Sequence, residues 1–130
     1  MGEFPSFRFR RKERLKGRDE IRAVFNRGKS VGCGGAKLFV LKNSLADNRI
    51  CFALPRKFGN AAERNRARRL GREAYRHIRP RLKGGYDMVL LVYPGASGSR
   101  GVSPGPENLN SRMKQLTNLF TKAALLQESE

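Results

Sequence analysis

Glu63–Arg81 reads ERNRARRLGREAYRHIRPR and holds eight arginines against two acids. Set on a helix at about 100° per residue, Ala67, Leu70, Ala74 and Ile78 fall on one narrow stripe. Arg64, Asn65, Arg68, Arg69, Arg72, Arg76 and Arg79 spread over the opposite side. The stripe predicts a helix docked on a core. The other side presents forked, permanently charged donors that match phosphate oxygens. A merely solvated helix face mixes signs, with Glu and Lys four residues apart. Here Glu73 is the only acid after the first turn and lysine is absent. The stretch therefore points to a nucleic acid.

Immediately upstream, Asn60 stands three residues before Glu63, the spacing of a capping box. Pro80 ends the helix. Before it, Lys37–Asn43 (KLFVLKN) and Arg49–Leu54 (RICFAL) are strands, with Asp47-Asn48 as a turn and Pro55 at the end or edge of the second. Lys29–Gly34 is a short edge strand, and the three strands predict an antiparallel hairpin or meander. Arg18–Arg27 is a short helix with Asp19 and Glu20 in its first turn and Gly28 as its stop. After the arginine helix, Gly84-Gly85 turns the chain into Tyr86–Tyr93 (YDMVLLVY), a buried strand. Residues 94–106 form a Gly/Ser/Pro surface loop. Leu109, Met113, Leu116, Phe120 and Ala123 mark an amphipathic C-terminal helix. The expected order is αβββαβα: an α+β, two-layer sandwich of three helices and a small mixed four-stranded sheet.

Residues 1–130 suit one RNA-binding domain. Lys plus Arg number 28 against 11 acids, a formal net charge of +17. A compact body so charged repels itself unless a polyanion is near. A membrane surface would want bulky apolar residues opposite the cations, whereas the arginine helix carries alanines there. No apolar run nears the ~18 residues that span a bilayer, and no membrane contact is expected. MGEFPSFRFRR lacks a continuous apolar segment, so a secretory signal is not expected. Its Arg-rich, acid-poor character leaves a transit peptide open, with the cytoplasm the expected location. Residues 1–16 alternate Phe and Arg and read as a basic arm, either a loose terminus or a phosphate contact with interleaved aromatics.

No catalytic constellation emerges. The acids are scattered, His77 has no evident carboxylate partner, and Gly32–Gly35 lacks the signature of a phosphate loop. Cys33, Cys51 and His77 complete no metal set, and the cysteines read as small reduced core residues. Neither a catalytic nor a metal-binding residue is expected in this chain.

RNRARRLGREAYR, preceded by RKFGNAAE, resembles the signature of the protein subunit of bacterial ribonuclease P. RRKERLKGRDEIRAVFNRGKS, KLFVLKN, RICFALPRKFGN and GYDMVLLVYPG surround it in the same order, and the resemblance covers nearly the whole chain. It implies the accessory subunit of a ribonucleoprotein endoribonuclease. In that enzyme a catalytic RNA, using Mg2+, removes the 5′ leader from precursor tRNA. The implied partners are that catalytic RNA and the leader, with no obligate protein partner. Arg64, Asn65, Arg66, Arg68, Arg69 and Arg72 would face the catalytic RNA, and the face reading adds Arg76. A leader cleft between the first helix and the sheet would take Ile21, Phe25, Lys42, Arg56, Lys57 and Tyr93. Phe25 has two readings, core packing or base contact. Ile21 and Lys42 stand where members often carry aromatics, which implies a more electrostatic grip. Gly71 replaces a larger apolar residue, a loss of about 1 kcal/mol of helix stability relative to Ala. The rival readings are a structural RNA-binding protein of ribosomal type, with no role in cleavage, and a stand-alone nuclease.

Overall fold

The structure is a computed structural model that describes residues 11–55, 57–93 and 108–126. The expected surface loop 94–106, Arg56 and residues 1–10 of the basic arm lie outside the described residues. In chain order the elements are α1 (Arg18–Arg27), β1 (Lys29–Cys33), β2 (Ala36–Lys42), β3 (Arg49–Ala53), α2 (Ala61–Ile78), β4 (Tyr86–Val92) and α3 (Leu109–Lys122). This is the expected order and the expected α+β class.

The sheet order is β1-β2-β4-β3. β1 and β2 form the antiparallel hairpin, but β3 does not continue it as a meander. β4 inserts between them, antiparallel to β2 and parallel to β3. The reason lies in composition. Met88, Val89 and Leu90 are consecutive and fully buried, so β4 needs cover on both faces and takes a central place. β3, with Pro55 close behind it, takes the edge.

Strand alternation divides the sheet residues between two cores. Leu38, Ile50, Phe52, Met88 and Leu90 pack with Tyr75 and Ile78 of α2 and with Leu116, Leu119 and Phe120 of α3. Fully burying each large side chain stabilises by about 1.5–3 kcal/mol. α2 and α3 cover this face of the sheet. α1 covers part of the opposite face, where Val24, Leu15 and Val89 form a second cluster flanked by Ile21, Phe39, Leu41, Cys51 and Ala53.

The second half of the basic arm is not loose. Residues 11–13 make a 3-10 turn, and Arg14 bridges to Ile50 alongside β3. Leu15 donates its N–H to the Ile50 carbonyl at 3.1 Å and is 3% exposed. Burying Leu15 and satisfying the free edge of β3 together fix this segment.

Gly28 stops α1 in extended geometry, not left-handed (φ −78°, ψ 162°). Glycine is needed there for close approach. A Cβ would stand 2.5 Å from the Val24 carbonyl oxygen and 2.7 Å from that of Val40. Gly71 is also explained by packing: a Cβ would lie 2.9 Å from a ring carbon of Phe52. The lost helix propensity is offset by room for that ring. Gly71→Ala should therefore destabilise by about 1 kcal/mol net. Overpacking costs ~1–3 kcal/mol and the helix recovers ~1. Urea denaturation measures this, and Phe52→Leu in the Gly71→Ala background should relieve part of the loss. A Gly71→Ala variant more stable than the parent would show that the ring yields freely.

Candidate nucleic-acid interface

α2 begins as its sequence predicts. The Asn60 side chain accepts from the Glu63 N–H at 2.8 Å, and the Asn60 N–H donates to Glu63 Oε1 at 2.9 Å. This capping box occupies the Glu63 carboxylate. Ala67, Ala74 and Ile78 are buried as the stripe requires, joined by Gly71 and Tyr75, while Leu70 is half-buried. The 3-10 turn Arg79–Arg81 follows, with Pro80 inside it.

The arginines split into two rows. Arg64, Arg68 and Arg72, spaced by four, are half-buried and run along the β3 edge. Arg64 Nη1 donates to the Pro55 carbonyl at 2.7 Å. Arg68 lies close enough to Cys51 to oppose the upward push that burial gives its thiol. The Arg72 guanidinium is lowered from its ordinary value by burial first, then by the positive charges of Arg14 and Arg68. Three cations thus crowd one strand edge, and an anion there would relieve their repulsion. Asn65, Arg66 and Arg69 form the second row and are exposed. Among the described residues no carboxylate pairs with Arg66, Arg68 or Arg69.

Arg76 is paired within the helix. Its guanidinium is bonded to Glu73 one turn back, and Glu73 also stands 3.6 Å from His77 Nε2. Arg76 is therefore already neutralised in part, and His77 does have a carboxylate neighbour. Glu13 is bonded to Arg79, which ties the arm to the end of α2.

On the sheet face opposite α2, α1 covers the strands only in part, leaving a half-buried hollow beside it. Paired positions across β2, β4 and β3 on this face run in two rows, Phe39–Val89–Cys51 and Lys37–Leu91–Ala53, with Val89 fully buried and the others half-buried. Phe25 overhangs it, 39% exposed, with its ring edge-on to Phe39 at 4.7 Å between centroids. Lys37 Nζ sits 5.3 Å from the Phe39 ring centre, a cation over an aromatic face. Tyr93 follows β4 at a position that alternation places on this face, and it is 39% exposed. Lys57 is exposed on the link to α2. An apolar, aromatic floor with cations at its border is the composition that single-stranded nucleic acid requires.

One expected cleft residue is placed differently. Ile21 stays on the α1 side of the sheet, half-buried against the same cluster as Phe39, Cys51 and Ala53. Lys42 is on the wrong face. Even-numbered positions of β2 point to the α2–α3 side, and Lys42 lines a hollow there with Tyr86 and Lys83. Lys37 and Phe39 occupy the cleft instead. For Phe25, exposure and the Phe39 contact favour the cleft reading over the core one. The cysteines are both free and only half-buried. Cys51 is in the cleft floor, its thiol raised by burial and so protonated at neutral pH.

The hollow is held by a polar network. Asp87 accepts from Arg49 Nε at 2.8 Å and Nη2 at 2.7 Å, and from Asn43 Nδ2 at 2.8 Å. Arg49 Nη1 also reaches Glu20 of α1 at 3.2 Å. α1 is thereby fastened to β3 and β4 at one end, with Lys37 and Leu91 half-buried towards the other.

Residues 9–122 match the family model described as Ribonuclease P. Over 115 residues, 88% of this chain and 93% of its relative, the sequence is 38% identical to a ribonuclease P protein component of Symbiobacterium thermophilum. Over 78 residues, 60% of this chain and 68% of the relative, it is 46% identical to that of Natranaerobius thermophilus. The solved RNase P protein from Thermotoga maritima superposes with a TM-score of 0.71 at 26% identity, covering 85% of this chain and 96% of that one. Sequence match, fold and basic helix agree, and the chain belongs to the ribonuclease P protein family.

Proposed function

We propose that this chain is the accessory protein of ribonuclease P, binding the catalytic RNA through α2 and the 5′ leader of precursor tRNA in the α1–sheet hollow. The observation that carries the reading is the pairing of two surfaces across the β3 edge. Exposed Arg66 and Arg69 lie on one side, and the Phe25–Phe39 floor lies on the other. The protein neutralises and positions RNA, and hydrolysis belongs to its RNA partner. Mg2+ is assigned to that RNA. Glu13, Glu73 and Asp87 are committed to Arg79, Arg76 and Arg49. No three metal-ligating side chains gather among the described residues.

Reconstitution tests this. The protein alone should leave precursor tRNA uncut. Added to its catalytic RNA it should raise cleavage most at low Mg2+, where its cations replace the ion's screening of phosphate repulsion. Phe25→Ala or Lys37→Ala should weaken precursor binding by about 1 kcal/mol, the low end for one stacked base. Binding of mature tRNA, which has no leader, should be unchanged. Equal losses for both RNAs would assign these residues to folding or to the catalytic RNA. Cleavage by RNA-free protein that survives nuclease treatment would overturn the reading. RNA binding without any effect on cleavage would instead favour a purely structural RNA-binding protein.

A further inference from the structure

A second basic hollow, of about 690 Å³, opens at the other side of the sheet beside β1 and β2. Its size lies within the roughly 300–1,000 Å³ of small-ligand sites. Arg27, Lys29, Lys42, Lys83 and Lys122 all line it, and no lining residue is acidic. Two of the five have local duties. Arg27 and Lys122 sit in the last turns of α1 and α3, where cations offset the helix dipole. Lys122 also donates to the Gly32 carbonyl at 2.7 Å. Lys29, Lys42 and Lys83 have no such duty. They are exposed, come from three separate segments, and form no ion pair among the described residues. The floor beneath them is apolar, built by Val31, Val40 and Leu125, with Tyr86 half-exposed beside it.

Like charges converging on a concave site repel one another until an anion enters. A flat anionic surface would meet the rim but not the floor. A nucleotide meets both, with its phosphate among the lysines and its base on the apolar floor beside the phenol ring. We propose that this hollow is a second RNA-binding site, taking a single-stranded segment at the edge of the sheet opposite β3. The proposal rests on the ribonuclease P reading and extends it. The arginine rows lie along β3 and this site lies by β1, so the protein grips RNA at two opposite edges.

The test uses the full chain and two charge reversals made together, Lys42→Glu and Lys83→Glu, with Lys114→Glu on exposed α3 as control. One arm measures affinity for the refolded catalytic RNA over a salt series. The other measures affinity of the reconstituted complex for precursor tRNA. The paired reversal should weaken binding about tenfold or more in at least one arm and lower its salt slope by roughly 1.4, two contacts at ~0.7 each. Lys114→Glu should change it less than about twofold, as expected for a distant surface charge. Loss in the first arm assigns the segment to the catalytic RNA, and loss only in the second to the tRNA. The neutral pair Lys42→Ala and Lys83→Ala, with an unchanged melting curve, should lose less in the same direction. Paired reversal and control behaving alike in both arms would overturn the proposal. Arg66→Ala with Arg69→Ala is run in parallel. If that variant also binds normally, the α2 interface fails as well, and the two failures are told apart.

Discussion

Asp87→Ala is expected to destabilise the fold by about 3 kcal/mol, the low end of the range for removing one partner of a buried ion pair. The Asp87 side chain is 8% exposed and that of Arg49 22%. Its two oxygens take three hydrogen bonds, two of them from one guanidinium. Losing the carboxylate leaves Arg49 in a half-buried place with only Glu20, itself 48% exposed. The Asn43 amide loses a partner too. Hence the cost exceeds that of a surface pair, typically under ~1 kcal/mol, but stays short of a fully orphaned charge. A chain of this size has about 5–15 kcal/mol in total, and its +17 charge draws on that reserve. Urea midpoints for Asp87→Ala, Arg49→Met and the double variant measure the coupling. The double variant should be more stable than the sum of its parents, because a buried pair replaced whole costs less than one broken. A loss below ~1 kcal/mol for Asp87→Ala would mean that the pair behaves as a surface one. The variant also bears on function. Asp87 and Arg49 fasten α1, so leader discrimination should fall along with stability in a way that Gly71→Ala, on the other sheet face, does not reproduce.

What could be read in the sequence was local. The α2 cap, stripe and stop depend on residues within a turn or two, and all three lie where the spacing puts them. The Glu73–Arg76 bond was equally local, at i, i+3. The position of β4 was not local. Its pairing with both β2 and β3 joins segments tens of residues apart, and only its continuous apolar run hinted at a central place. Lys42 shows a subtler failure. In Leu38–Leu41 four apolar residues follow one another, because β2 is covered on both faces. Without polar alternation nothing in the strand itself says which face a side chain joins. Lys42 was assigned to the cleft by the resemblance alone, and β2 carried no signal to replace it with Lys37 and Phe39. Arg112 gave no signal at all. An arginine near the start of a helix reads as solvated, yet here it is 1% exposed and bonded to Gln115, which in turn donates to the Gly34 carbonyl at 3.1 Å. Burial lowers it to about 10, so it stays charged at neutral pH and holds α3 to the β1–β2 hairpin.

The two arginine rows of α2 should respond differently to the same substitution, and the outward row should carry the larger effect on RNA. Arg66→Ala with Arg69→Ala is expected to weaken binding to the catalytic RNA by roughly 3 kcal/mol, two charged hydrogen-bonding groups at ~1.5 each. That is over a hundredfold in affinity, and the salt slope should flatten by about two contacts at ~0.9 each. Both side chains are exposed, so the melting temperature should hold or rise as like charge is removed. Arg64→Ala should instead lower stability, because its bond to the Pro55 carbonyl closes the link before α2. Arg72→Gln should relieve the crowding with Arg14 and Arg68 and stabilise the free protein while weakening the complex. Arg76→Ala should do less than either outward arginine, since Glu73 already holds it. Sulfate reports on the same surface without RNA. An anion bound only by the native state at a hundred times its dissociation constant adds about 2.7 kcal/mol. Chloride at matched ionic strength screens but does not bridge several guanidinium groups. Melting curves in sulfate should therefore lie above those in chloride for the parent chain, and Arg66→Ala with Arg69→Ala should close the gap. Coincident curves in the parent chain would mean that the arginines form no preformed anion site and that RNA affinity comes from diffuse charge alone.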